Sequence, residues 1–521
     1  MVREPWQRKL VAVAACASLG LAAFPLTATA HGRVKLAPRN GGVLRTALPV
    51  DPGTLDPRQT QNTSTEVVDS LVFDGLVRIS NSLRPTPGLA TSWKQLSPTK
   101  WIFHLRHGVT FQNGQPFTSA DVAYTYNTLL NPSFKAPQIA LYAPIRKVVS
   151  DGKYAVEFLL KTPYAPLLSY LNLGIVPTGA NATTFGQHPI GTGPYKLSSW
   201  QANNQVVLTA NPHYWGGAPH IQKIVFKIIP DNTTQVLGLE SGSLGLITSP
   251  LPYSYIPQLN RNPRYRVQKE TGLGTIYLNL NLKNPALSNL KVREAIQYAL
   301  NRSAITQHIY FGVDTPASTQ LLPGTWDWNP SIQAPPPNLA KARALLASAG
   351  WKKGPKGYLE KNGQILTLNL STYNDPTRVQ VLEYLQESLA QLGIKASVTQ
   401  LEWPTFISNV MAGKYQVALI GWLDLVDPDK AFYQQFVAGQ PYNWEHYDNP
   451  MVNRLLVQAR QISNIARRRA LYDEAARIIL KQLPYIEIAD QGYVVVSTPN
   501  LHGFQMNKTG SLRSLAKAWL G

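Results

Sequence analysis

Ile365-Leu366-Thr367-Leu368-Asn369-Leu370-Ser371, then Pro376 to Leu392, then Gly393 and Ile394 to Leu401, decide the fold class of this chain. The first run is short and apolar, and it reads as a strand. Pro376–Leu392 places Val379, Leu382, Leu385, Leu389 and Leu392 on one helical face, with Gly393 as a stop signal. Ile394–Leu401 reads as the next strand. Strand, helix, strand in that order predicts a right-handed parallel unit, hence an α/β architecture. Ligands of such sheets are expected near the carboxyl ends of the strands.

The same periodicity extends outward. Leu290–Leu300 and a segment capped by Asn338 and ended by Gly350 both carry helical apolar stripes. Tyr415–Trp422 reads as an apolar strand and Ala466–Leu483 as a long basic amphipathic helix. Upstream, Trp101–Arg106 reads as a strand. Thr118-Ser119-Ala120-Asp121 is a capping box opening a helix with Val122, Tyr126 and Leu129 on one face. Regular structure is expected to begin at Gly41-Gly42-Val43-Leu44, after a polar lead-in over residues 31–40.

Residues 1–30 read as a secretory leader. Arg3, Arg8 and Lys9 precede an apolar run from Leu10 to Leu26, and Ala28-Thr29-Ala30 is an A-x-A cleavage site. A rival reading takes Val13-Ala14-Ala15-Cys16 as a lipobox, with Cys16 as the site of a lipid anchor. Cys16 is the single cysteine, so no intramolecular disulfide is expected in the mature chain. No later segment has the long uncharged run of a membrane span.

The net charge of +20 comes from 49 basic and 29 acidic residues that are dispersed along the chain. The densest run, Arg467-Arg468-Arg469, falls in a helical pattern and reads as a solvated face, so no nucleic-acid partner is expected. Enzyme motifs are weak. Ser97-Pro98-Thr99-Lys100 and Lys508-Thr509-Gly510 match pieces of penicillin-recognising sites, but Pro98 predicts a turn where that chemistry needs a helix. His104 and His107 are three apart in a strand pattern and face opposite sides, which is poor for chelation. No catalytic residue, metal site or cofactor is expected.

An ordered series of motifs resembles the family 5 extracellular solute-binding proteins, the peptide- and nickel-binding components of ABC importers. It runs from Gly41-Gly42-Val43-Leu44-Arg45 and Asp74-Gly75-Leu76-Val77 through Pro87–Trp93, Phe103–Phe111 and Gly114–Thr118. Pro189-Ile190-Gly191-Thr192-Gly193-Pro194-Tyr195, Asn211–Trp215, Val292–Ile296 and Gly421-Trp422 with Asp427-Pro428 complete it. The resemblance implies a type II periplasmic-binding-protein fold, two lobes with a hinge and an extra inserted domain. Lobe I would comprise residues 41–80, 186–275 and 491–521, the inserted domain 81–185, and the third region 276–490. Hinge crossings would fall near Gly272–Leu282 and Ala489–Val496.

The resemblance further implies peptide capture and delivery to a membrane permease by a monomer, with a nickel complex, oligosaccharide, opine or haem as other solutes of the same fold. A hydrolase is the remote alternative. Peptide-binding relatives often carry an aspartate three residues after the tryptophan; here that position is Leu425, in a loop one residue shorter. Asp424 is therefore the expected partner of a peptide ammonium, with Asp427 as the other candidate. Trp422 would form an apolar wall. Thr275–Asn281 would pair with the ligand backbone, Tyr277 and Asn279 sharing one face. Asn443 and Trp444 are further candidates by family position.

Overall fold

The computed structural model describes residues 37–60, 62–248 and 250–521. The leader, its A-x-A site, Cys16 and His31 lie outside the described residues. Among the described residues no helix is long and apolar enough to cross a membrane.

The deciding segment folds as expected. Thr367–Tyr373 and Lys395–Leu401 pair in parallel, joined by the helix Pro376–Ala390. Asp375 caps that helix, its side chain accepting from the amides of Thr377 and Arg378. The first strand begins two residues later than its sequence suggests, because Gln364–Ile365 is drawn into a small sheet with Leu359–Lys361.

These strands form one end of an eleven-stranded sheet. Its order is Lys395–Leu401, Thr367–Tyr373, Val417–Trp422, Arg266–Leu280, Tyr485–Ser497, Leu246–Ile247, Val43–Leu48, Lys223–Ile228, Gln205–Ala210 and Tyr195–Gln201, with Thr315–Pro316 also against Tyr485–Ser497. Two long antiparallel strands, Arg266–Leu280 and Tyr485–Ser497, hold the halves together. Val417–Trp422 joins the first at residues 275–280. Leu246–Ile247 joins the second at Val496 and Ser497. The two half-sheets therefore hang from opposite ends of one strand pair.

The pairing breaks between Thr271 and Thr275. A Cβ on Gly274 would lie 2.0 Å from Gln491 Oε1, and one on Gly492 would lie 2.3 Å from the Val313 carbonyl oxygen. The Val313 backbone admits no side chain at Gly492, whereas the flexible end of Gln491 can move aside at Gly274, so Gly492 is the glycine the crossing requires.

A separate antiparallel sheet orders Ala90–Ser97, Lys100–Leu105, Ala155–Leu160 and Ile145–Ser150. Ser97 pairs with Lys100 across a tight turn, so the S-x-x-K segment has no helix to act on. The helix Ser119–Leu130 covers this sheet with Val122, Tyr126 and Leu129 buried, and both halves of its Thr118–Asp121 capping box are formed.

Several of the motifs above converge on one carboxylate. Asp74 is 1% exposed and accepts from Trp215 Nε1 at 2.9 Å, Thr192 Oγ1 at 3.2 Å and Arg78 Nη2 at 3.2 Å. Arg513 of the C-terminal segment donates to it as well. Asp74, Thr192 and Trp215 thus tie three distant segments and the tail into one unit.

The basic run is not a uniformly solvated face. Arg467 is exposed, but Arg468 is buried against Asp427 and Arg469 donates to the Trp328 carbonyl at 2.6 Å. A helix turns about 100° per residue, so one of three adjacent arginines faces inward.

Candidate ligand-binding site

Three central strands present a common face. Thr275 lies opposite Trp422 on one side and Asp490 on the other. Tyr277 lies between Ile420 and Glu487, and Asn279 between Ala418 and Tyr485. Strand alternation turns Ile276, Leu278 and Leu280 into the opposite core. Gly421 is required here, since a Cβ would lie 2.1 Å from the Thr275 carbonyl oxygen.

The backbone of this strand is not open to a ligand. Residues 275–279 are paired on both sides, so their amides and carbonyls are spent within the sheet. The expected pairing of Thr275–Asn281 with a peptide backbone is corrected accordingly. Tyr277 and Asn279 share a face and are both buried. Tyr277 packs edge-on against Tyr485, with ring centres 5.6 Å apart. Asn279 meets the Tyr415 hydroxyl at 2.7 Å.

The loop after Gly421 sorts its side chains by direction. Trp422 is half-buried and donates from Nε1 to Gln435 Oε1 at 2.7 Å. Its ring meets Tyr442 at 5.1 Å, and Tyr442 meets Trp444 at 5.4 Å, making an aromatic wall. Asp424 adopts φ 54°, in the left-handed region where aspartate is tolerated, and this turns its side chain out to solvent. Leu425 turns inward, its amide bonded to the Leu273 carbonyl at 3.0 Å.

Asp427 is fully buried, and its carboxylate is held by Arg468 at 2.5 and 2.7 Å and by the Ser169 hydroxyl at 3.0 Å. Asn443 fastens its own loop, donating to the carbonyls of Val437 and Tyr447 and accepting from the Tyr447 amide. Of the seven candidate residues, Asp424 is exposed and Trp422 and Trp444 are half-buried, while Asp427 and Asn443 serve the protein's own bonds.

Structure adds groups that the sequence did not single out. Lys430 donates to the carbonyls of Leu423 at 3.0 Å and Asp424 at 3.2 Å. Glu66, on the distant helix Thr63–Val72, is reached by water yet walled by protein. Burial and the neighbouring Asp424 carboxylate push it up to about 7, against the opposing pull of Lys430. Behind the tryptophan, Gln435 accepts from Trp422 and from Gln320 Nε2 at 2.8 Å, and donates to Glu445. Burial raises Glu445 to about 8. Glu487 and Asp490 are buried on the shared face and raised well above the carboxylate range, by burial first and by neighbouring acids second.

A strand pair carrying two half-sheets, with an aromatic and acidic loop at its edge, is the plan of a type II periplasmic-binding-protein fold, the solute-binding component of an ABC importer. Residues 84–444 match the model of the bacterial extracellular solute-binding proteins, family 5. The chain belongs to that family. It is 28% identical over 515 residues to the nickel-binding periplasmic protein of Escherichia coli strain K12, spanning 95% of each chain. It is 28% identical to the glutathione-binding protein GsiB of Shigella boydii, over 87% of this chain and 89% of that one. The structure of the periplasmic binding protein DppA from Helicobacter pylori, in complex with the peptide STSA, superposes with a TM-score of 0.72 at 26% identity, covering 92% of this chain and 98% of that one.

Proposed function

We propose that this protein captures peptides with a free amino terminus outside the cytoplasm and delivers them to the permease of an ABC importer. The leader over residues 1–30 would direct export, with cleavage after Ala30 preferred to lipidation of Cys16. Closure would bring residues 41–80, 186–275 and 491–521 toward residues 276–490 about the crossing at Gly492. The protein would bind and release without a catalytic step.

The observation that carries this reading is Asp424, exposed to solvent two residues after Trp422 of the aromatic wall. An ammonium leaving water for a closed cleft needs replacement partners, because an unpaired buried charge is very costly. The Asp424 carboxylate supplies one. Trp422, Tyr442 and Trp444 offer an apolar surface to the side chain that follows.

Substituting Asp424→Asn tests the reading by calorimetric titration. Trialanine should bind about tenfold or more weakly to the variant, in line with loss of one charge-assisted contact. N-acetyl-trialanine should be little affected. Equal losses for both ligands would remove Asp424 from the ammonium site.

A further inference from the structure

The end of the long sheet farthest from Lys395–Leu401 carries a charged surface that solute binding does not use. Val43–Leu48, Lys223–Ile228, Gln205–Ala210 and Tyr195–Gln201 lie side by side there. One face of these strands, with Leu44, Ile224, Phe226, Leu208 and Tyr195, is core. Strand alternation puts Arg45, Lys196, Lys223 and Lys227 together on the other face. These are all the cations of the four strands, and the same strands contain no Asp or Glu.

The strand registers bring the four together. Lys223 lies opposite Thr209, and Thr209 lies opposite Lys196. Arg45 lies opposite Val225, midway between Lys223 and Lys227 on the neighbouring strand. Lys223, Arg45 and Lys227 are thus staggered by about 7 Å per step along the strand direction. Arg45, Lys196 and Lys223 are exposed and Lys227 is half-buried. Among the described residues, no ion pair within 4.0 Å engages any of them.

A cavity of about 560 Å³ opens beside these cations. Arg45, Lys227, Asn203, Asn204 and Ser243 line it, and no acid does. Lys227 donates to Gln205 Oε1 at 2.7 Å, a neutral partner that leaves its charge uncompensated. Asp51, beside the hairpin tip, is spent on the Asn203 amide at 2.7 Å and the Trp200 indole at 3.2 Å. A concave, cationic and acid-free wall is complementary to a phosphate-type anion. The cations are spread over several strands rather than set in one line, and Val43 stands exposed among them. That arrangement suits an array of separate phosphates, as lipid head groups present, better than one polymer strand.

We propose that this face docks on the anionic phospholipid surface around the permease, with a head-group phosphate seated in the cavity at Arg45 and Lys227. The nearness of a permease rests on the reading above; the charge of the face does not. Lys and Arg held within a Debye length of an anionic leaflet are drawn to it, each adding to the attraction. Trp422 belongs to the half-sheet on the other side of the long strand pair, so its loop is not part of this face.

Vesicle flotation of the chain from His31 onward, with no peptide added, tests this. The chain should float with vesicles of phosphatidylcholine and phosphatidylglycerol but not with phosphatidylcholine alone, and added salt should weaken the binding. Arg45→Gln combined with Lys227→Gln should lower binding about thirtyfold. Lys352→Gln combined with Lys353→Gln removes the same charge from an exposed strand of a separate small sheet, and should lower it less than about threefold. If thermal melting shows the first pair unfolded, Lys196→Gln with Lys223→Gln takes its place with the same expected loss. Equal flotation with both vesicle types, or with neither, would overturn the proposal, as would equal losses in the two double variants. Arg45-dependent binding of glycerophosphate without vesicle binding would also overturn it and assign the cavity to a free anion. Because no peptide enters, each of these outcomes leaves the peptide reading to its own titration.

Discussion

The guanidinium of Arg468 grips both carboxylate oxygens of Asp427, at 2.7 and 2.5 Å, with both side chains buried. Ser169, from the segment that carries the four-stranded sheet, adds a third bond to the same carboxylate. A second tie runs alongside, where the Ala165 amide donates to the Arg460 carbonyl at 2.8 Å. The Asp427-Pro428 motif therefore anchors the loop whose outer turn carries Asp424.

Removing one member of this pair leaves the other buried without its counter-charge. Asp427→Ala and Arg468→Ala should each destabilise the fold by about 3–5 kcal/mol. Ser169→Ala should cost only about 1 kcal/mol. Urea denaturation followed by tryptophan fluorescence measures all three; a loss below about 1 kcal/mol for Asp427→Ala would contradict the assigned role.

A Cβ on Gly421 would lie 2.1 Å from the Thr275 carbonyl oxygen, and one on Gly492 2.3 Å from that of Val313. Gly421→Ala and Gly492→Ala should therefore force backbone shifts worth about 1–3 kcal/mol. Because both lie beside the binding loop or the strand crossing, ligand affinity should fall by more than the stability loss explains. Alanine at Gly439, where nothing lies within 4 Å, serves as the contrast, although its φ of 76° adds local strain.

Acid should stabilise this protein over a range where many proteins are indifferent. Burial raises Glu445 from 4.5 to about 8, and Asp314 from 3.8 to about 7. The native state then holds protons that the unfolded chain has released, so stability falls as pH rises through that window. The melting temperature should drop steadily from pH 5.5 to 8.5, and Glu445→Gln should flatten the upper part of the slope. A melting temperature independent of pH across that range would count against buried, raised carboxylates.

Much of the architecture was legible in local pattern. The stripe from Leu382 to Leu389, the cap before it and the stop at Gly393 predicted a helix, and it forms as Pro376–Ala390. Local signals suffice there because period, cap and stop act within a few residues. The binding loop was harder. Asp424 and Asp427 lie three residues apart, and in sequence only the resemblance to peptide-binding relatives ranked Asp424 first. Only the positive φ at Asp424 and the position of Arg468 send one outward and one inward. Glu66 gave no signal, because its relation to Asp424 depends on packing between segments distant in the chain.

The sequence by itself determined the α/β class, the order of strands and helices, and the family, because periodicity, turn chemistry and ordered motifs are local properties. Tertiary structure alone decided which charges are solvated. Arg468 is buried although its two neighbours in a basic run are less so, and Glu487 and Asp490 are enclosed in strand positions that read as ordinary polar residues. Burial depends on what the other strands and helices place overhead, and a carboxylate's chemistry depends on burial.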